Sequence, residues 1–351
     1  MYTYYILVHN TGISLQGVNF KMLPEQRPNL PAATPDSQDK MPNNLNVAGN
    51  INLTDKLFDR NGNVTQFFKE ILETLPLFDS ISGAHLTSIS STLTLPQVEQ
   101  YLQAAFFRPN EAKFAYQVAT EGELPNERQL AAFGKLGMVD ALTVTAGNKY
   151  DLGAVFGGLL AAVDARSKYL LQQGVDFSSV ALLGGQRPLI ESELKENLAT
   201  VIGQDYYTEL EQKKTLPKTE FQMMRCVWDS YCRKNESLSS IPVIEVDSKL
   251  RIGKAKDSPH TPDTVVDLAN TLTSGIAIPG LKTAPSAFIV SSSQPYAPRQ
   301  REDFLSAMIS LNYPLAEVDV IGYPSSTPSS LKLYATEIAK LVHAQYLTRK
   351  S

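Results

Sequence analysis

From about residue 150 onward the chain alternates short, unbroken apolar runs with amphipathic segments, and this limits its fold more than any other feature. Leu152–Phe156, Ser179–Leu183, Pro242–Val246, Ala287–Val290 and Val318–Ile321 read as strands, most of them bounded by Gly or Ser. Between and after them, Leu159–Gln173, Glu191–Val201, Pro298–Ser310 and Ser330–Tyr346 read as helices. Phe221, Met224, Trp228 and Tyr231 mark one face of another, and Thr261-Pro262 opens a further one with a cap residue followed by Pro. Strands that are apolar throughout must be covered on both sides. The expected fold is therefore α/β: a Rossmann-like, mainly parallel sheet with helices on both faces, spanning residues 148–351.

Residues 1–147 have a different character. A strand is expected over residues 2–8, then a Pro- and Asn-rich connector over 21–50. Val64–Leu75, Leu95–Phe107 and Asn126–Leu136 read as helices, so this part is mostly helical and is expected to pack on the sheet domain. It carries no motif with evident chemistry.

Composition removes several functional classes. A net charge of −4 supplies no basic field for nucleic acid. No apolar stretch approaches the ~20 residues of a membrane span, and the first residues lack the basic start and small-residue cleavage site of a signal peptide. A cytoplasmic protein is expected, with no nucleic-acid or membrane partner. The 2 cysteines, Cys226 and Cys232, exclude a disulfide framework and fall on nearly opposite faces of one expected helix. The 4 histidines show no metal-ligand spacing, so no metal residues are assigned. Gly-x-Gly-x-x-Gly and Gly-x-Ser-x-Gly are absent, and Gly253-Lys254 runs into Ala255 rather than the Ser or Thr of a P-loop.

Parallel sheets bind ligands at the carboxyl ends of their strands, and polar clusters follow several of the expected strands here. Gly157-Gly158 follows the first and Gly184-Gly185 with Arg187 the second. Thr219-Glu220 and Thr261-Pro262-Asp263-Thr264 open helices, and Ser292, Gln294 and Arg299 follow the fourth strand. Glycines let a ligand approach the backbone, and an arginine fork suits phosphate or carboxylate. Each cluster also has a plain reading. Gly-Gly is often a tight turn, Thr with an acidic neighbour is often a helix cap, and Met223, Met224 and Trp228 read better as core than as a cofactor box.

The order of these clusters resembles the YdcF/SanA/ElyC-like proteins over residues 150–325. Those bacterial proteins have a Rossmann-like domain, and one member is associated with S-adenosylmethionine. The resemblance implies a small-molecule site in which Gly184, Gly185 and Arg187 match the glycine turn and its arginine. Glu220 matches the family glutamate, Asp263-Thr264 the polar helix start, and Arg299 the late arginine. The membrane segment common in SanA-like and ElyC-like members has no counterpart here. Gln294-Pro295-Tyr296 stands where the family carries His-Met-Arg.

The expectation is a protein that binds a small molecule with an anionic group: a nucleotide, S-adenosylmethionine or a phosphorylated metabolite. Transfer chemistry would use Glu220 and Asp263 as the catalytic carboxylates. Gly157, Gly158, Gly184, Gly185, Arg187, Thr264, Ser292, Gln294 and Arg299 are the expected ligand contacts. Two alternatives stand beside it. One is a non-catalytic interaction or regulatory protein, including a translocated bacterial effector, that binds a protein partner through the N-terminal region. The other is a metal-assisted phosphoester hydrolase.

Overall fold

A computed structural model describes residues 48–51, 53–75, 93–106, 122–250, 259–274, 280–281, 283–325 and 328–350. The strand expected at 2–8, most of the connector at 21–50, His9, His85 and Gly253-Lys254 lie outside the described residues.

Five strands form one sheet: β1 Lys149–Phe156, β2 Asp176–Gly185, β3 Val243–Ser248, β4 Ala287–Ser293 and β5 Glu317–Tyr323. All neighbours pair in parallel, in the order β3-β2-β1-β4-β5. This is the expected α/β architecture, with the direction of winding reversing between β1 and β4.

The helices, numbered in chain order, are α1 Thr54–Leu57, α2 Gln66–Leu72, α3 Leu95–Phe106 and α4 Glu127–Lys135, followed by α5 Leu160–Leu171, α6 Lys195–Ile202, α7 Gln204–Gln212, α8 Glu220–Lys234 and α9 Glu236–Ser239. The last three are α10 Thr261–Thr273, α11 Ala297–Ser310 and α12 Leu331–Lys350. On one sheet face, Leu152, Ala154 and Phe156 meet Val265 and Leu268 of α10 and Phe304 and Met308 of α11. On the other, Val155, Val180 and Leu182 meet Leu160 and Val163 of α5 and Met223, Met224 and Trp228 of α8. Period-2 alternation of two apolar sets builds both cores at once. Each fully buried large side chain contributes about 1.5–3 kcal/mol. The Met and Trp residues of α8 belong to this core, and Cys226 and Cys232 are free thiols.

A third core joins segments far apart in the chain. Leu57, Phe68, Leu102 and Phe133 pack with Tyr334, Ile338 and Val342 of α12, and the Phe133 and Tyr334 rings stack 4.7 Å apart. The region before β1 also closes the outer edge of β5. The Ala48 backbone bonds to Ala316 and Val318, and Leu142 exchanges two backbone bonds with Gly322. Between them the Asn50 side chain acts as a strand segment: Nδ2 donates to Val320 O at 2.7 Å, and Oδ1 accepts from Val320 N at 3.0 Å. An edge that would offer free backbone groups is thereby used up. Among the described residues no helix is long and apolar enough to cross a membrane.

Candidate functional site

The reversal of winding leaves a crevice where the carboxyl ends of β1 and β4 part. A cavity of about 330 Å³ occupies it. Gly157, Gly158, Arg187, Gln294 and Arg299 of the expected set line it, together with Arg166, Ser293, Tyr296, Gln300 and Tyr323.

Three arginines thus meet at one cavity, and two are neutralised by the protein itself. Arg187 lays Nη1 and Nη2 on Glu193, donates from Nε to Glu220 at 3.0 Å, and caps the carbonyls of Gly158 and Pro188. Arg299 donates from Nε to Glu337 at 2.8 Å and from Nη1 to Asp303 and Thr261 Oγ1. Burial pushes the Glu337 carboxyl up, but Arg299 and Lys340 outweigh it and hold it at about 2.

Arg166 differs. Its side chain rises from α5 back toward the end of β1, donating to Phe156 O, Gly157 O and Ser293 Oγ. It is only 5% exposed, and among the described residues no carboxylate pairs with it and its Nε has no acceptor. Burial pushes its guanidinium down from the ordinary arginine value. Arg166 is absent from the residues singled out by sequence, yet a signal exists. Leu160, Val163 and Leu170 form the buried stripe of α5, and Arg166 falls on it.

The remaining expected residues separate by role. Glu220 stands beside the cavity, its Oε1 so close to Gly157 that a methyl group there would overlap it. Burial raises its carboxyl above the ordinary value despite Arg187. Thr219 caps α8, accepting from Gln222 N as expected. Gly184 and Gly185 are not a turn after β2; they are its last two residues, paired with Asp247 and Ser248. They lie against Met224 and Phe221 in one case and Pro259 in the other, so close packing accounts for both. Asp263 accepts from His260 N at 2.6 Å and so caps α10, whose N-cap is His260 rather than the expected Thr261. The Thr264 hydroxyl donates to Thr261 O, and Ser292 bonds to Gln300. Gly184, Gly185, Asp263, Thr264 and Ser292 do not line the cavity.

Gln294 is oriented by Nε2, which donates to Gly137 O and Asp140 O at 2.7 Å each, and its Oε1 is buried with no donor among the described residues. Burial pushes the Tyr296 hydroxyl up to about 12, so it is a neutral donor at pH 7. Among the described residues no group of three or more His, Cys, Asp or Glu is gathered that could hold a metal ion. The arrangement can bind an anion and a polar neighbour in a half-enclosed, mostly apolar space. Compared with known proteins, the chain matches no family model, no curated protein and no solved structure.

Proposed function

We propose that the protein binds a small molecule bearing an anionic group in the crevice between β1 and β4, and that Arg166 receives the anion. Nucleotides, S-adenosylmethionine and phosphorylated metabolites are the candidate ligands, with transfer chemistry as the reaction class and Glu220, which abuts Gly157, as its carboxylate. The supporting observation is the buried Arg166 guanidinium, which lines the cavity and has no carboxylate partner among the described residues. Burying an unpaired charge costs several kcal/mol, and a ligand anion offsets that penalty. The resemblance to YdcF/SanA/ElyC-like proteins belongs to the same proposal. So does a cytoplasmic location, which the two free thiols fit.

The rival interaction reading calls for exposed aromatics along residues 58–107. In the described part of that stretch Phe58, Phe68 and Phe106 are buried, and Tyr101 is 42% exposed. The small-molecule reading is therefore preferred.

Thermal melts with AMP, S-adenosylmethionine, glucose 6-phosphate and inorganic phosphate test it. At least one probe is expected to raise the melting temperature, and Arg166→Gln to abolish that rise while keeping a cooperative melt. A rise that survives Arg166→Gln, or no rise with any probe, overturns the proposal.

A further inference from the structure

The residues that line the cavity differ in what they leave accessible. Ser293 and Gln300 are buried, and both are committed within the protein. Ser293 Oγ accepts from Arg166 Nη2 at 2.9 Å, and the Gln300 amide meets Ser292 with its oxygen and Thr261 with its nitrogen. Leu159, Ile190, Tyr296 and Tyr323 line the same cavity and are only half-buried, so they keep surface to offer a ligand.

Strand order brings these four from two sides of the crevice. Leu159 follows β1 and Ile190 follows β2, whereas Tyr296 follows β4 and Tyr323 closes β5. One side is therefore aliphatic and the other aromatic. The tyrosines are anchored by their own backbones. Tyr296 N donates to Ser293 O at 2.8 Å and Tyr296 O accepts from Gln300 N at 2.9 Å, while Tyr323 O accepts from Gln294 N at 3.0 Å. The Tyr323 ring also meets the Tyr169 ring of α5 edge to face, with centroids 6.4 Å apart. Anchored side chains lose little freedom when a ligand arrives.

A sugar or polyol in this space would set hydroxyls against Leu159 and Ile190 and give up water without gaining partners. A flat ring gives up little hydration and gains stacking on tyrosine. Resting on the anion-binding reading above, we infer that the ligand is an aromatic anion. Its ring lies between Tyr296 and Tyr323 on one side and Leu159 and Ile190 on the other, with the anionic group toward Arg166. Sugar phosphates and polyol phosphates are thereby disfavoured.

Calorimetric titration of the full chain with three pairs, each differing by the ring-bearing group, tests the inference. The pairs are phenyl phosphate against cyclohexyl phosphate, AMP against ribose 5-phosphate, and S-adenosylmethionine against methionine. In at least one pair the ring-bearing member is expected to bind about tenfold or more tightly than its partner. Whichever pair discriminates shows how far the ring stands from the anion. Tyr296→Leu and Tyr323→Leu are each expected to cut that preference about fivefold or more, and Tyr296→Phe and Tyr323→Phe to keep it. A preference that both leucine variants retain, or that the phenylalanine variants lose, overturns stacking on these rings. The wild-type comparison and the phenylalanine variants stand even where a leucine variant fails to melt cooperatively. Equal binding within every pair, abolished by Arg166→Gln, overturns the ring and leaves the anion site standing. Stabilisation by glucose 6-phosphate or inorganic phosphate, with no binding of any ring-bearing member, does the same. Equal binding that survives Arg166→Gln, or no response to any probe in either experiment, overturns both.

Discussion

Arg187 grips Glu193 with both prongs of its guanidinium, Nη1 to Oε2 and Nη2 to Oε1, each at 2.8 Å. The third edge of the same group meets Glu220 at 3.0 Å, so one arginine ties the segment after β2 to the first turn of α8. The Glu193 side chain is 1% exposed. Arg187→Met would strand two buried carboxylates, and removing one partner of a buried pair costs about 3–5 kcal/mol. Urea denaturation at pH 7 is expected to show a loss of that size. A loss within ordinary surface-mutation range would mean that this arginine is not the tie described.

Gly157 is held small by Glu220. A methyl group there would overlap Glu220 Oε1 and come within 3.0 Å of Leu183 O. Gly157→Ala is expected to lose about 1–3 kcal/mol through overpacking. Part of that loss should vanish in a Glu220→Ala background, which removes the overlapping oxygen. A double-mutant cycle read by thermal melts checks this, and strictly additive effects would contradict it.

The acid limb of stability should carry the mark of Glu337. Its carboxyl lies at about 2 in the folded chain, against an ordinary value of 4.5, because Arg299 and Lys340 outweigh its burial. A group whose folded value is depressed stabilises above its unfolded value and loses that contribution as pH falls through its folded value. The Glu337 contribution is therefore complete at neutral pH and fades between 4.5 and about 2. Glu337→Gln is expected to be less stable by roughly 3 kcal/mol at pH 7, and to converge on the parent as pH drops. Asp303, which burial pushes up, acts in the opposite sense in both proteins. Denaturation midpoints at pH 7, 5, 4 and 3 decide it, and a gap that stays constant to pH 3 removes ionised Glu337 as the cause.

Asp263 should behave as a cap and not as a catalyst. It accepts from His260 N at 2.6 Å at the start of α10 and does not line the cavity. Asp263→Ala is expected to cost about 1 kcal/mol, the usual loss for a helix cap. It should leave the ligand-induced rise in melting temperature unchanged. Loss of that rise at unaltered stability would restore the catalytic reading.

The strands from β1 onward are legible in the chain because doubly covered parallel strands are written as unbroken apolar runs. Gly184-Gly185 misleads for a physical reason. Glycine after an apolar run ordinarily ends a strand, but here Phe221, Met224 and Pro259 press so close that only glycine fits inside β2. Helix α7 goes unseen because Leu210 is its one buried residue, which leaves no apolar stripe to read. The clusters at Gly157-Gly158, Arg187, Gln294 and Arg299 share one edge of the sheet, because in a parallel sheet the residues that follow the strands all fall at the carboxyl edge. Their division of labour does not follow, since it depends on Glu193 and Glu337 arriving from elsewhere. Arg166 and Glu337 leave the same trace: a charged residue on an apolar helical stripe, Leu160/Val163/Leu170 in one case and Leu333/Leu341 in the other.

The core shared by α2, α3, α4 and α12 sets a timetable for the protein's synthesis. Phe68, Leu102 and Phe133 emerge from the ribosome long before Tyr334, Ile338 and Val342, the residues that cover them. At about 5–20 residues per second, the interval from Met138 to Leu331 is roughly 10–40 s. Throughout that time the apolar faces of the early helices have no permanent cover, and Asn50 has no β5 edge to complete. A chain halted before Leu331 would keep those faces uncovered, the kind of exposed apolar surface that favours aggregation.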